Sequence, residues 1–543
     1  MECRSISYHD ARAHLRPGRD LPLRPSDESA QALLAAYHPD YRNGAGTILS
    51  IGPNAGCACH PALARLLESD ALIDEVDLTG VAPLHTDVLV IGGGGAAASA
   101  ALEAADAGAD VVVATKLRIG DSNTVMAEGG IQAAVGHDDS IELHYYDTLR
   151  GGHGAGNPEL VSLLVADGPA AIRWLIGLGV AFDLDEDGVR LLRKRAGGAS
   201  AARVLSHRDF TGLEIMRVLR AAVELDRRIT VLNRAPAIEL LTDESGACAG
   251  AVLCDLEHGL LLPVLANAVV LATGGAGRLH LEGFATSNHY GATADGLVIA
   301  YRAGARVTDV DSFQYHPTGV AWPPHLAGTL VSEAIRSVGA HLVNGLGERF
   351  VDELAPRDVV AAAILRECAQ GRGISRDTAL GVFVDTPDLL ARHPDLLATQ
   401  LVTIAHLAAK CGLDPAREPL LVYPTLHYQN GGVMISNDTE TDVAGLYAAG
   451  EVVGGVHGRN RLMGNALLEI IVFGRRAGVH SAAYAARRGP PSRAGLTHVA
   501  AFRRALAKAG KMQHAARAPL LYPEYGNFDL RRHLAGGATQ DSR

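Results

Sequence analysis

Apolar residues along the chain are concentrated in short runs, and several of these runs end in glycines. Val88 to Ile91 are continuously apolar and are followed at once by four glycines, a segment of small residues and a second apolar run, VVVA. This order predicts a buried strand, a tight turn, a helix and a second strand. Two later runs, NAVVLATGGAG (267–277) and GLYAAGEVVGG (445–455), predict further strands that end at glycines.

The first 83 residues lack such a pattern. Only PALARLLESDALI (61–73) has apolar residues at helical spacing, so we expect an irregular N-terminal extension with one helix. No uncharged apolar run is long enough to cross a bilayer, and the N-terminus carries charges throughout. We therefore expect neither a signal peptide nor direct membrane insertion.

The turn after the first predicted strand has the spacing of a dinucleotide-binding site. Gly92, Gly94 and Ala97 form the pattern G-x-G-x-x-G/A between a strand and a helix. Gly92 would permit the tight turn, Gly94 would admit a pyrophosphate at the helix N-terminus, and Ala97 would let the helix pack closely. The second strand ends in Thr115 and Lys116, without an acid to bind a ribose, which disfavours NAD. The later glycine-ended strands favour FAD, a longer ligand that several distant segments would contact.

Composition and charge narrow the class of protein. A chain of 543 residues with 48% hydrophobic and 20% charged residues is an ordinary globular protein of about two to four domains. The net charge of −11 argues against nucleic acid as a partner, so an anionic substrate would need a local cluster of cations. The seven cysteines are odd in number and scattered, which favours reduced thiols in a cytoplasmic protein. Cys57, Cys59 and His60 have no second ligand pair at a metal-site spacing, so no metal is predicted.

A second candidate site is the segment VSEAIRS. Glu333 and Arg336 are three residues apart, so on a helical turn their side chains share one face. Arg357 follows Pro356 at a predicted helix start. The ordinary interpretation of such a set is an ion pair or a structural ion network, and the alternative is a proton relay.

Nine motifs, in this order, resemble the succinate dehydrogenase and fumarate reductase flavoproteins and the L-aspartate oxidases. They are SNTVMAEGGI, ATGGAG, TADG, FQYHPTG, SEAIR, APRDVV, LHYQNGGV, GEV and HGRNRLMGNALLE. The resemblance implies an α/β fold in which a discontinuous, Rossmann-like FAD-binding domain is interrupted by an α+β capping domain. The boundaries we expect are an N-terminal extension (1–83), the first part of the FAD-binding domain (84–310), the capping domain (311–426), the second part (427–485) and a short C-terminal helical tail (486–543).

The same resemblance assigns residues to each role. Non-covalent FAD would be held by Gly92, Gly94, Gly95, Lys116, Asn123, Gly129, Gly130, Asp295, Glu451 and Leu467. The substrate, a small dicarboxylate, would be bound by His316, Ser332, His427 and Arg461. The catalytic residues would be Arg357, Glu333 and Arg336.

These residue types suit the chemistry of a dicarboxylate. A dianion that leaves water needs paired cations and hydrogen-bond donors, which Arg461, His316, His427 and Ser332 can supply. Addition of a hydride to one alkene carbon leaves a strongly basic carbanion, which even a weak acid such as Arg357 can protonate. Arg336 and Glu333 would then return a proton from solvent.

Several positions depart from the family pattern. Asn123 stands where dehydrogenase-type members carry a flavin-linking histidine, so we expect a non-covalent flavin and an enzyme that reduces an alkene. Ala199 stands where the family often has histidine, Ser337 and Val338 where it commonly has Gly-Glu, and Arg459 where alanine is usual.

Two alternatives to fumarate–succinate chemistry remain open. An L-aspartate oxidase would need a partner for the substrate ammonium, and GVRLLRKRAGG (188–198) contains no acid. A non-catalytic electron-carrying flavoprotein would not need Arg357, His427 and Arg461. Docking of an iron–sulfur or other electron-transfer subunit is also possible in the family.

Overall fold

Two large β-sheets, each with its own apolar core, organise the chain in the computed structural model, which describes residues 5–16, 20, 27–42, 44–489, 491 and 493–523. The strands are β1 (Ile6–Ser7), β2 (Thr47–Ile48), β3 (Ala58–Cys59), β4 (Leu84–Ile91), β5 (Val111–Ala114), β6 (Ile131–Gln132), β7 (Arg193–Arg195), β8 (Ala202–Leu205), β9 (Ile229–Leu232), β10 (Ala237–Thr242), β11 (Cys248–Asp255), β12 (Leu260–Leu271), β13 (Val307–Thr308), β14 (Phe313–Val320), β15 (Leu342–Val343), β16 (Ile374–Arg376), β17 (Ala379–Val384), β18 (Leu420–Gln429), β19 (Gly432–Val433) and β20 (Leu446–Ala448). The α-helices are α1 (Tyr8–Ala13), α2 (Asp27–Tyr37), α3 (Pro61–Leu67), α4 (Gly95–Asp106), α5 (Ile141–Gly151), α6 (Pro158–Leu178), α7 (Thr211–Leu225), α8 (Asp295–Ala303), α9 (Glu333–Ser337), α10 (Arg357–Ala369), α11 (Thr386–Arg392), α12 (Leu396–Thr399), α13 (Val402–Lys410), α14 (Asn465–Arg488) and α15 (Thr497–Lys508).

The first sheet has seven strands in the order β10-β11-β12-β4-β5-β9, with β20 also paired to β12. β12, β4, β5, β9 and β20 are parallel, whereas β10, β11 and β12 form antiparallel pairs. Leu271 pairs with Ile91 and with Ala448, so the glycine-ended strands finish at one edge of the sheet. The predicted order of strand, turn, helix and strand is observed as β4, α4 and β5. Open sheets of this kind bind ligands beyond the carboxyl ends of their parallel strands.

The second sheet has six strands in the order β1-β16-β17-β18-β14, with β15 paired to β17. Its apolar core includes Val360 and Ile364 of α10 and Val422 of β18. β14 is the last strand of the path, so one of its edges faces away from the sheet. The second sheet and the helices that pack on it therefore form a second layer beside the first sheet.

The N-terminal region contains more structure than its sequence predicts. A helix begins at Pro61 as predicted, but its predicted end and the expectation of a single helix are wrong, because α3 ends at Leu67 and α1 and α2 precede it. β1 pairs in parallel with β16, which joins the region to the second sheet. Ala30 and Leu33 of α2 pack on the second apolar core, and this tertiary contact stabilises a helix whose own apolar face is weak.

Two helices, α6 and α14, concern the expectations about membrane insertion and about the C-terminal tail. α6 is long and apolar enough to cross a membrane by length and composition, but eight of its residues are buried in this structure. α14 runs through residue 485 and ends at Arg488, and α15 follows it. The rest of the predicted helical tail, residues 524–543, lies outside the described residues.

Candidate active site

A long cleft begins at the carboxyl ends of the parallel strands and reaches the second sheet. Its volume is about 1660 Å³, part of it open to solvent, and its lining runs from the glycine turn after β4 to the histidines of β14 and β18. All ten residues predicted to hold the flavin and all four predicted to bind substrate line it, as do Glu333 and Arg357. Arg336 lies behind Glu333, with which it forms an ion pair. The cleft therefore has room for a long cofactor and a small second ligand.

The glycine turn lets the backbone approach closely at one end of the cleft. Gly92 has a φ of 142°, and a Cβ there would lie 2.1 Å from the carbonyl oxygen of Ala272. Gly94 is the N-cap of α4 and makes no side-chain cap, while the backbone N–H of Gly95 donates to Thr124 Oγ1 at 3.0 Å. The N-terminus of a helix attracts anions, so this end suits a pyrophosphate.

A carboxylate from a distant segment lies beside the end of the second strand. Asp295, the first residue of α8, accepts a hydrogen bond from Lys116 Nζ at 2.6 Å. Lys116 also donates to Thr293 Oγ1 at 2.7 Å, and the N–H of Leu521 donates to Asp295 at 3.2 Å. The lysine that replaces the expected acid thus holds a carboxylate that lines the cleft and can accept ribose hydroxyls.

Asn123 and Glu451 are tied together in the middle of the cleft. Asn123 Nδ2 donates to Glu451 Oε2 at 3.0 Å, and Glu451 Oε1 accepts from the backbone N–H of Gln429. Burial raises the pKa of Glu451. Glu128 Oε2 and Thr273 Oγ1 line the same cleft, and neither has a hydrogen-bond partner within the described part of the chain. Buried polar atoms without partners are rare, so these groups fit a polar cofactor that would satisfy them.

Glu333 is the centre of a buried ion cluster at the other end of the cleft. Its Oε2 accepts from Arg357 Nε at 2.8 Å and lies 3.4 Å from Arg336 Nη2, and its Oε1 accepts from the N–H of Gly197 at 2.9 Å. Burial alone would raise the pKa of Glu333, but the charges of Arg357 and Arg336 outweigh it and bring the pKa to about 2. Arg336 and Arg357 are therefore joined through one carboxylate. The three-residue spacing predicts only that Glu333 and Arg336 share a face, and the tertiary structure adds Arg357.

Gln314 of β14 was not among the predicted site residues, yet it connects two of them. Its Oε1 accepts from Arg357 Nη1 and from Arg461 Nη2, each at 3.0 Å. Its Nε2 donates to the carbonyl oxygen of Arg461 at 2.7 Å. The alternation of a strand places Gln314 on the same face as His316, and this was the signal available in FQYHPTG.

His316 and His427 lie side by side on β14 and β18, with ring centroids 5.1 Å apart. His427 Nδ1 shares a hydrogen bond with Ser287 Oγ at 2.8 Å, a second contact that the sequence did not reveal. Burial and the charge of Arg357 lower the pKa of His316, and burial and the charge of Arg461 lower that of His427, in both cases well below the usual value. Both rings are therefore neutral near pH 7.

Arg461 and Ser332 complete the lining around the two histidines. The Arg461 guanidinium lies 4.3 Å from the ring centroid of Tyr428, and its Nε has no partner in the described residues. Burial and the charge of Arg357 lower the pKa of Arg461 to about 10, so it remains a cation. Ser332 Oγ caps α9 by accepting from the N–H of Ala334. The site thus offers two guanidinium groups and two neutral imidazoles to an anion.

Two departures from the family pattern have different outcomes. Arg459 does not line the cleft, because its guanidinium turns away and forms a bidentate pair with Asp311. Ala199 is buried, and its carbonyl oxygen accepts from Arg195 Nε at 3.1 Å.

Known proteins are similar to this one over most of the chain. The family profile described as FAD binding domain matches residues 87–467. A fumarate reductase (CoM/CoB) subunit of Methanothermobacter marburgensis is 39% identical over 407 residues, which cover 73% of this chain and 72% of that protein. L-aspartate oxidase of Streptomyces coelicolor is 40% identical over 415 residues, 74% of this chain and 69% of that protein. A solved structure of quinol fumarate reductase FrdA from E. coli superposes with a TM-score of 0.71 at 32% identity, covering 79% of this chain and 74% of that one.

Proposed function

The chain belongs to the succinate dehydrogenase and fumarate reductase flavoprotein family, which includes the L-aspartate oxidases, and from this premise we propose that it reduces a small α,β-unsaturated dicarboxylate of the fumarate type. It is an FAD-dependent oxidoreductase of that family. The observation that carries the proposal is the pair of buried guanidiniums, Arg357 and Arg461, that share the oxygen of Gln314 beside two neutral histidines.

The substrate-binding part of the proposal follows from charge. Arg461 would pair with one carboxylate in a bidentate geometry, since its Nε is unpartnered among the described residues and its Nη2 is oriented by Gln314. His316 Nε2 also has no partner among the described residues. This atom and the ring of His427 would contact the substrate carboxylates as neutral groups. These contacts would polarise the alkene toward hydride addition, and FAD, when bound, supplies the hydride from its N5 position.

The proton would come from Arg357. Its Nη1 donates to Gln314 and its Nε to Glu333, so the guanidinium is held in one orientation at the cleft surface. After Arg357 gives a proton to the substrate carbanion, Glu333 would relay a replacement from Arg336. Atoms balance, because one hydride and one proton add across the double bond to form the saturated dicarboxylate.

L-aspartate oxidation is the second candidate, and the comparisons support it equally. Glu128 is the observation that favours it, because its carboxyl lines the cleft with one oxygen unpartnered among the described residues, and its sequence context gave no sign of this. Burial and the charge of Asp209 raise the pKa of Glu128 to about 8, so the group is mostly neutral near pH 7. An ammonium bound there would have to ionise this carboxyl first, at the cost of its raised pKa, which is why we place this candidate second.

We also propose a non-covalent flavin, because Asn123 cannot form the histidyl link, and a cytoplasmic location. The electron donor would be a separate protein or small molecule, for example an iron–sulfur subunit. We propose neither nucleic acid as a partner nor direct membrane insertion. The domain boundaries at residues 83, 310, 426 and 485 remain part of this proposal.

Anaerobic titration of the purified protein separates the candidates. We expect fumarate to reoxidise the reduced flavin and L-aspartate to leave the oxidised flavin unbleached. Rapid bleaching by L-aspartate, with oxaloacetate formed after hydrolysis of the imine, would transfer the assignment to the second candidate. A flavin that responds to neither acid, in a protein that keeps its FAD, would point to a non-catalytic electron carrier.

A further inference from the structure

Arg459, the residue that departs from the family pattern, lies at a junction behind the candidate active site. Its backbone N–H donates to Gly152, and its carbonyl oxygen accepts from Ser312 Oγ at 3.0 Å and Asn430 Nδ2 at 2.9 Å. Ser312 immediately precedes β14, and Asn430 immediately follows β18. The same residue therefore joins the two strands that carry His316 and His427 to the segment that carries Arg461.

The side chain of Arg459 points to the opposite side from the cleft and meets the N-terminal region. Nη1 and Nη2 donate to the two carboxylate oxygens of Asp311 at 3.0 and 3.2 Å. The guanidinium carbon lies 5.6 Å from the ring centroid of Tyr41. Tyr41 belongs to the segment after α2, which precedes the part of the chain matched by the family profile.

Neighbours of Tyr41 support β14 from the same side. Asp40 Oδ2 accepts from the backbone N–H of Phe313 at 2.6 Å, and Oδ1 accepts from the hydroxyl of Tyr315 at 3.4 Å. The ring of His38 packs edge-on against Tyr315 at 5.4 Å. Because strand residues alternate in direction, these contacts hold Phe313 and Tyr315 on one face of β14. On the other face, His316 lines the cleft and Gln314 binds Arg357 and Arg461. An edge strand without such contacts would leave its amide groups unpaired.

A third contact holds the residue next to the proposed proton donor. His153 Nε2 shares a hydrogen bond with Asp358, the residue after Arg357, and the ring of His153 lies edge-on to Tyr41 at 6.0 Å. Residues close in sequence to Gln314, Arg357 and Arg461 are thus all held by one group of residues that lies outside the cleft. We call this group the rear cluster, and its members are His38, Asp40, Tyr41, His153, Asp311, Asp358 and Arg459.

We infer that Arg459 is a positioning residue: it docks the N-terminal segment onto the back of the active site. It so fixes the backbone that carries His316 and Arg461, which would reach the substrate, and Gln314, which orients Arg357 and Arg461. The substrate in this inference rests on the proposed function, whereas the contacts of Arg459 do not depend on it. Displacement of reacting groups by a single ångström can cost about 100-fold in rate, so support of this kind has a measurable effect.

Arg475 supplies a matched control. It pairs with Glu103 and lies 4.9 Å from the ring centroid of Trp174, the same two kinds of contact that Arg459 makes. Its side chain is 29% exposed, against 25% for Arg459. Arg475 does not line the cleft, so its loss removes comparable contacts away from the site.

The test compares Arg459→Ala, Arg459→Lys and Arg475→Ala in the full-length, FAD-loaded protein. Succinate binding is followed by the change in the flavin spectrum, and backbone hydrogen exchange is measured for peptides that contain residues 312–318. In Arg459→Ala we expect succinate affinity to fall about 10- to 100-fold, with unchanged FAD content and faster exchange in β14. Arg459→Lys should recover part of the affinity, because an ammonium can still pair with Asp311. Arg475→Ala should change neither quantity.

Unchanged succinate affinity and exchange in Arg459→Ala would overturn the inference, as would equal losses in Arg475→Ala. If Arg459→Ala does not retain FAD, Tyr41→Leu removes only the ring and should produce the same changes at smaller size; no change would again overturn it. If wild-type protein fails to bind both succinate and fumarate, the proposed function fails. The exchange difference between Arg459→Ala and Arg475→Ala still decides the inference in that case.

Discussion

Replacement of Arg357 by glutamine removes the proposed proton donor while keeping most of the side-chain volume. Arg357 contributes two hydrogen bonds, from Nε to Glu333 and from Nη1 to Gln314. Glu333 would retain the N–H of Gly197 at 2.9 Å and the guanidinium of Arg336 at 3.4 Å. The glutamine amide can still donate one of the two bonds, and Glu333 and Gln314 both keep other donors. We therefore expect a loss of stability of about 1.5–3 kcal/mol, the value of one hydrogen bond to a charged group.

The effect on catalysis should be much larger than the effect on binding. Loss of general acid catalysis lowers rates by about 10²–10⁴-fold. Arg461, His316 and His427 remain to hold the dicarboxylate, so the loss should fall on kcat more than on KM. Steady-state reduction of fumarate by a chemically reduced dye, with FAD content measured in the same samples, provides the assay.

Arg372 offers a control for the loss of an arginine from this part of the chain. It forms two hydrogen bonds to the buried Glu367 near the C-terminal end of α10, and it does not line the cleft. Arg372→Gln should therefore leave kcat unchanged. A near-normal kcat in Arg357→Gln, across several unsaturated acids, would refute the assignment of Arg357 as the acid.

Three further results follow from the same structure. Arg461→Lys should weaken dicarboxylate binding about 10- to 100-fold without loss of FAD, because an ammonium cannot replace a bidentate guanidinium; a change of less than about twofold in a spectral titration would exclude Arg461 as the carboxylate ligand. Acid precipitation should release all the flavin into the supernatant, since Asn123 cannot form a histidyl link, and a coloured pellet would contradict this. Burial raises the pKa of Asp40 to about 7, so the folded protein holds a proton that the unfolded chain releases above about pH 4. The free energy of unfolding should therefore fall by about 1.4 kcal/mol per pH unit as the pH rises from about 4 to about 7. Asp40→Asn should remove this slope in urea unfolding at pH 5, 6 and 7, and identical slopes in both proteins would refute the assignment.

Local sequence was sufficient for the parts of the site that depend on neighbouring residues. The glycine turn was predictable because the sterics of Gly92 and the helix that follows act within a few residues. The pairing of Glu333 with Arg336 followed from helical spacing, and the start of α10 at Arg357 followed from Pro356. The roles of His316, His427 and Arg461 came from the family resemblance, because an isolated histidine or arginine carries no spacing signal.

Contacts between distant segments were decided only by the tertiary structure. Lys116 meets Asp295 across 179 residues and Gln314 meets Arg461 across 147, and no local pattern records such pairs. Helix α2 escaped prediction because packing on the second core stabilises it. Arg459, two residues from Arg461 in the sequence, is drawn away from the cleft by Asp311 and Tyr41. Backbone sterics and helical periodicity are short-range properties that sequence encodes directly, whereas the orientation of a charged side chain depends on which partner the whole fold brings within reach.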